Sequence, residues 1–182
     1  MFFQLLIVSV LVLADVPVTQ ASEEPSGYRL DSYDAAVPET LRGAIRVTAL
    51  QVADLQQKHS ALVIDVIPEH IKPEALPEGQ MWFPVKHKGI AGALWLPDVG
   101  YGSLSDATLS YFKRHLQTST NDSYEHPIVF YCRSNCWMSW NAAKRALSFG
   151  YSQVYWFADG IEYWNFEGLE TQVLEPAAGA RH

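Results

Sequence analysis

Two cysteines occur in the 182 residues, and they lie four positions apart, as Cys132 and Cys136. A thiolate is a nucleophile, a soft metal ligand and a disulfide former, so the pair concentrates the reactive chemistry of this chain at one place. Cys132 directly follows the apolar run Pro127-Ile128-Val129-Phe130-Tyr131, and a helical pattern begins at Met138. A cysteine between the carboxyl end of a buried strand and the start of a helix sits where open α/β sheets place their ligands. The free N–H groups of the helix favour an anionic sulfur there. Arg133 adds positive charge, and Asn135 is one of the few non-glycine types that enters left-handed backbone readily. The segment Cys132-Arg133-Ser134-Asn135-Cys136-Trp137 can therefore curl its amides around the Cys132 sulfur.

Residues four apart on a helical turn have Cα atoms about 6 Å apart, within reach of a disulfide. The spacing leaves several chemistries open. Cys132 can carry a persulfide that Cys136 resolves, the two can form a reversible disulfide, or they can hold Cu(I) with Met138 or His87 as a third ligand. A permanent disulfide in a non-catalytic binding module is the inert alternative. Haem attachment is excluded, because Trp137 and not histidine follows Cys136. The six histidines, His59, His70, His87, His115, His126 and His182, show no metal-ligand spacing among themselves, so no metal site is expected from them.

The elements that must hold this loop are legible as an alternation. Thr48 caps a helix with apolar positions at Leu50, Val52, Ala53 and Leu55, and the β-branched run Leu62-Val63-Ile64-Asp65-Val66 follows as a strand. A Pro- and Gly-rich stretch from Pro68 to Gly89 leads to a short strand at Ala93–Leu96. Ser105-Asp106 then opens a helix with Leu109, Phe112 and Leu116 on one face. After the cysteines come a helix over Met138–Phe149 that stops at Gly150, a strand at Val154–Phe157, and a short helix holding Tyr163, Trp164 and Phe166. Strands that read as continuous apolar runs predict a single α/β domain with a mostly parallel sheet covered on both faces. Trp140, Trp156 and Trp164 are expected in its core.

The formal charge of -7, with no basic cluster, argues against nucleic acid as a partner. Met1–Ala14 is uncharged and apolar, too short to span a bilayer comfortably, and is followed by small residues up to Ala21. Residues 1–21 read as a secretory signal peptide, with a retained membrane anchor as the alternative. The expected division is then a polar arm at 22–44, the domain at 45–176 and a tail at 177–182, in a periplasmic or secreted protein whose thiols meet an oxidising compartment.

Tyr131-Cys132-Arg133-Ser134, Ala142-Ala143-Lys144-Arg145-Ala146-Leu147, Gly150-Tyr151, Val154-Tyr155, Asp159-Gly160-Ile161-Glu162 and Trp164 follow one another as in a known pattern. Upstream, Leu62-Val63-Ile64-Asp65-Val66 and Ile90-Ala91-Gly92-Ala93 complete it. Most of the chain thus resembles the rhodanese-like domains. The run from Cys132 to Trp137, Met138-Ser139-Trp140-Asn141 and Gly27-Tyr28-Arg29-Leu30 is more narrowly similar to the PQQ-dependent catabolism-associated proteins with a Cys-xxx-Cys-Trp motif. The resemblance implies a rhodanese-like fold, a Cys132 nucleophile that passes sulfane sulfur to a thiol or cyanide acceptor, and work beside a periplasmic quinoprotein dehydrogenase or its electron carrier. No residue pattern specifies a PQQ pocket, so no cofactor is expected on the chain itself. Trp137 stands where the family has a cation, which disfavours a dianion such as thiosulfate. Ile67 replaces the family arginine after Asp65-Val66, and Asp65 lies 25 residues before Ile90, about twice the family spacing. The extra loop carries Met81, Trp82, Phe83 and His87, either as a lid or docking surface or as loop anchors. Asp65 and Asp159 are expected to support the loop from behind or to shape turns.

Overall fold

A computed structural model describes residues 23–83 and 85–179; the expected signal peptide lies outside them. Among these residues the order is β1 (Ile45–Arg46), α1 (Ala49–His59), β2 (Leu62–Asp65), β3 (Lys88–Ile90), β4 (Leu94–Trp95), α2 (Asp106–Ser119), β5 (Ile128–Tyr131), α3 (Trp137–Ser148), β6 (Val154–Phe157), α4 (Gly160–Phe166) and β7 (Thr171–Val173). Five strands form one sheet in the order β1-β6-β5-β2-β4, with every neighbouring pair parallel, and β3 and β7 form a separate antiparallel ribbon.

Local chemistry fixes the helix boundaries. Thr48 and Gln51 cap α1 reciprocally, and Ser60 ends it in the left-handed conformation at φ 50°. The Ser105 hydroxyl accepts the Thr108 N–H at 3.1 Å to start α2. The central strands are apolar on both sides because both sides are covered. Ile64, Phe130 and Trp156 face α2 and α3, while Val63, Val129 and Phe157 face α1, α4 and the ribbon. Trp140, Trp156 and Trp164 are all buried.

Some expected details differ. Leu50, read as a core position of α1, is exposed, while Val52, Ala53 and Leu55 meet the core as expected, together with Ala49. The Pro68–Gly89 stretch ends in β3, and β1, β3 and β7 are elements of two or three residues whose patterns are too short to read as strands. The expected arm is built into the domain. Asn141, buried on α3, accepts the Arg29 N–H and donates to the Arg29 carbonyl, both at 2.9 Å, and Trp140 Nε1 donates to the Thr40 carbonyl at 3.2 Å.

Candidate functional site

The loop between β5 and α3 carries the cysteine pair at the carboxyl edge of the sheet. Alternation along β5 sends Ile128, Phe130 and Cys132 to one face and Val129 and Tyr131 to the other. Cys136 precedes α3 directly, and Asn135 takes φ 53° to turn the chain between the two cysteines. Gly160 makes the turn possible from the other side: at φ 69° a Cβ there would lie 2.7 Å from the Cys132 carbonyl and 2.6 Å from Ser134 N.

Both cysteines are thiols, both are buried, and they share a hydrogen bond. Burial, and then donation to Cys136, push the Cys132 thiol well above the ordinary range; its proton stays on. Cys136 moves the other way. The bond from Cys132 lowers it most, against the cost of burial, with help from the Met138 amide at the start of α3 and from Arg133. Of the two, Cys136 gives up its proton more readily, not Cys132 as the helix-dipole argument from sequence implied. Burial works against the Arg133 charge, but Asp34 and then the two sulfurs more than offset it.

Of the expected ring of amides, the Arg133 N–H bonds the Cys132 sulfur, while two others are committed elsewhere. The Ser134 N–H donates to Glu162 Oε2 at 2.8 Å, and the Ser134 hydroxyl bonds the Asp159 carbonyl. The Trp137 N–H goes to the Tyr33 carbonyl at 2.9 Å, and the Asn135 carbonyl accepts the Ala35 N–H at 3.0 Å. These last two bonds place Asp34 opposite Cys136 in an antiparallel bridge, so the arm lies across the cysteine loop like an added strand. Asp34 pairs with Arg133 at 3.2 Å, and Trp137 Nε1 donates to the Ala36 carbonyl at 3.1 Å. The two cysteines are 0% and 1% exposed as a result, so any reaction at the sulfurs requires local opening.

Met138 is buried beside the pair and packs on Gly100. Asp159 precedes α4 and pairs with Arg46 at 3.0 Å. Asp65 and His87 lie on the other face of the sheet. Asp65 Oδ2 accepts the Tyr131 hydroxyl at 2.6 Å and meets His87 Nε2 at 2.8 Å, while Oδ1 accepts the Ile67 N–H at 2.8 Å. His87, offered from sequence as a ligand beside the cysteines, is instead clamped to Asp65 and stacked on Trp95 with ring centroids 4.0 Å apart. No cluster of three or more metal-binding side chains occurs among the described residues. In the long loop Met81, Phe83 and Val85 are exposed, and His87 is its anchor.

Sequence reasoning singled out neither Tyr131 nor Glu162 nor the arm residues Tyr33 to Ala36 as parts of the site. Period-2 alternation on β2 and β5 is the signal that pairs Asp65 with Tyr131 and separates both from Cys132. No local pattern signals that Glu162 occupies a loop amide.

None of the curated proteins compared matches the chain. Among solved structures it is similar to the crystal structure of the Alr3790 protein from Anabaena sp., at 15% identity and a TM-score of 0.45, covering 70% of this chain and 92% of that one. The solution structure of the rhodanese-like domain of the same protein gives 14% identity, a TM-score of 0.47, and coverage of 75% and 88%. The polysulfide-sulfur transferase homodimer from Wolinella succinogenes gives 15% identity, 0.45, and coverage of 78% and 85%. The family model described as "Rhodanese-like domain" matches residues 48–167, from the cap of α1 to the end of α4 and including both cysteines. With that match over most of its length, on a mostly parallel sheet of this topology, the chain belongs to the rhodanese-like domain family.

Proposed function

We propose that this protein transfers sulfane sulfur through a Cys132 persulfide, with Cys136 as its proton acceptor and resolving thiol. The observation that carries the reading is the hydrogen-bonded pair itself, in which Cys132 holds its proton against a Cys136 favoured as thiolate. When the loop opens to an organic persulfide R–S–SH, Cys132 gives its proton to Cys136 and attacks the outer sulfur. The S–S bond of the donor breaks, RS⁻ leaves, and Cys132–S–SH remains. An acceptor thiolate then takes the outer sulfur, or Cys136 attacks Cys132 to close a disulfide and release hydrogen sulfide. The second route needs an external dithiol to reset the pair. Arg133, beside both sulfurs, offsets the charge that moves between them. Trp137 and the bond of Glu162 to the Ser134 amide weigh against thiosulfate, whose charge would find one arginine and a loop amide already taken by a carboxylate.

We place this activity outside the cytoplasm, next to quinoprotein-dependent alcohol oxidation. The apolar N-terminal segment and the Cys132–Trp137 motif support that placement. The test is intact mass after incubation with an organic persulfide. Wild-type protein gains about 32 Da on Cys132 that a reductant removes, and Cys132→Ser gains nothing. Cys136→Ser protein, which cannot close the disulfide, that stays at its starting mass sinks the sulfur-transfer reading.

A further inference from the structure

The cover over the two sulfurs is made by the backbone of the arm, laid against the cysteine loop as a strand. The arm is fixed on either side of that cover. Asn141 holds Arg29 at both its N–H and its carbonyl, and Trp140 Nε1 holds the Thr40 carbonyl. Residues 30–39 therefore form a strap between two anchors, which can lift from the cysteines while both ends stay in place. Ser32, at φ 46°, turns the chain into it.

Lifting the strap uncovers a definite set of groups. The Asn135 carbonyl loses the Ala35 N–H, the Trp137 N–H loses the Tyr33 carbonyl, and Trp137 Nε1 loses the Ala36 carbonyl. An acceptor on one side of Cys136 and a donor on the other make a strand edge, and a second extended chain satisfies both as the arm does.

The register says which residue of that chain matters. Asp34 and Cys136 face each other without exchanging bonds while their neighbours do, which is the closer kind of antiparallel pair, with Cβ atoms about 5 Å apart. The Asp34 carboxylate lies 3.2 Å from Arg133, whose guanidinium also bonds the Cys132 sulfur. Position 34 is thus where the strap opposes the pair directly and where a negative group meets a cation. Ala35 and Ala36 after it are small, and Tyr33 before it packs edge-on against Tyr101 with ring centroids 5.3 Å apart.

We propose that residues 33–36 are a built-in substitute for the sulfur donor. The donor is a persulfide carried on an extended peptide segment of another protein, and it docks by strand addition where the strap has lifted, with its modified cysteine in the place of Asp34. The inference rests on the sulfur-transfer reading and gives its donor a class. Cys132 passes its proton to the Cys136 thiolate and attacks the outer sulfur of R–S–SH, where R is now the peptide. The S–S bond of the donor breaks, Cys132–S–SH forms, and the peptide leaves as RS⁻. That thiolate is the anion for which the Asp34 carboxylate stands in beside Arg133.

Two experiments on the full chain separate this inference from the reading beneath it, and the first needs no sulfur transfer. Cys132→Ser protein, whose remaining thiol is Cys136, is mixed with the peptide Ser-Tyr-Cys-Ala-Ala-Val, the sequence of residues 32–37 with cysteine in place of Asp34. The peptide is supplied as its mixed disulfide with thionitrobenzoate, and release of thionitrobenzoate is timed. Exchange runs at least about tenfold faster than with the same residues in scrambled order, and N-methylation of the alanine after the cysteine removes most of that advantage. Equal rates for the three peptides, or no exchange with any, overturn strand addition. In the second experiment, wild-type protein is loaded from the persulfide of the same peptide and from cysteine persulfide. The peptide gives a kcat/KM at least about tenfold higher, and N-methylation again lowers it. Equal values overturn the peptide as donor. Loading from neither contradicts sulfur transfer and the donor role with it, while the exchange rates still decide the strand site.

Discussion

Replacing Ala35 with proline removes one hydrogen bond from the arm that covers the cysteines, and the consequence can be worked out in advance. The Ala35 N–H to the Asn135 carbonyl, the Trp137 N–H to the Tyr33 carbonyl and Trp137 Nε1 to the Ala36 carbonyl hold residues 33–36 on the loop. At about 1 kcal/mol net each, closure is worth about 3 kcal/mol, and the exposed Asp34–Arg133 pair adds less than about 1 kcal/mol. The open state is then populated at roughly 1 part in 200, so native alkylation of Cys136 runs about two orders of magnitude slower than that of an unfolded thiol with the same charge. Proline at 35 has no N–H and costs about 1 kcal/mol of closure, which raises the native alkylation rate about fivefold. The assay is iodoacetamide labelling followed by intact mass and peptide mapping, alongside a urea titration for global stability. Labelling in Ala35→Pro at the wild-type rate would refute the cover. So would wild-type labelling that proceeds only at the rate of global unfolding, because the arm would then not open by itself.

Other perturbations test neighbouring parts of the account. Gly160→Ala puts a Cβ against the backbone of Cys132, Arg133 and Ser134 at a left-handed φ, and is expected to cost about 2–4 kcal/mol in urea unfolding and to abolish persulfide loading; a near-neutral effect contradicts the packing of α4 on the loop. The cysteines also give stability a pH signature. Cys136, depressed in the fold, contributes stability that is present above its unfolded value and lost as pH falls through its folded one. Cys132, raised in the fold, contributes stability present below its unfolded value and lost as pH climbs towards its folded one. Wild-type stability relative to Cys132→Ser/Cys136→Ser therefore peaks near the ordinary thiol range of about 8.5, and a flat difference across that range counts against the shared proton. Asp65→Asn turns an acceptor of three bonds into a group that also donates, and is expected to cost about 2–4 kcal/mol by denaturant titration, with less than about 0.5 kcal/mol the contrary result.

The readable part of this molecule is the part with long periods. β2, β5, β6 and the helices from Asp106 to Ser148 bury whole faces, and their apolar runs announce both the strands and the cysteine loop between β5 and α3. The left-handed Asn135 was legible too, because so few residue types adopt that conformation at low cost. What sequence left hidden depends on distant partners. Leu50 sits at an apolar position of α1 but faces solvent, since it is Ala49, Val52, Ala53 and Leu55 that meet the second core. Glu162 reads as a surface acid of α4 until the turn at Gly160 brings it to the Ser134 amide. The arm carries no periodicity, yet its backbone completes the edge of the cysteine loop through bonds that any residue but proline can make. His87 lies in a Pro-rich stretch with no ladder of its own, and only the alternation of Asp65 and Tyr131 on adjacent strands defines the place it fills.

The central claim is that sulfur rides on Cys132 while Cys136 manages its proton and its release. Peptide-mapped mass spectrometry of wild-type, Cys132→Ser and Cys136→Ser proteins, each treated with an organic persulfide and acid-quenched, tests it most directly. The account predicts a gain of about 32 Da on Cys132 in wild-type, none in Cys132→Ser, and a slowly formed but long-lived gain on Cys132 in Cys136→Ser, where the resolving thiol is missing. Sulfur found on Cys136 while Cys132→Ser loads normally, or no adduct in any of the three, would contradict it.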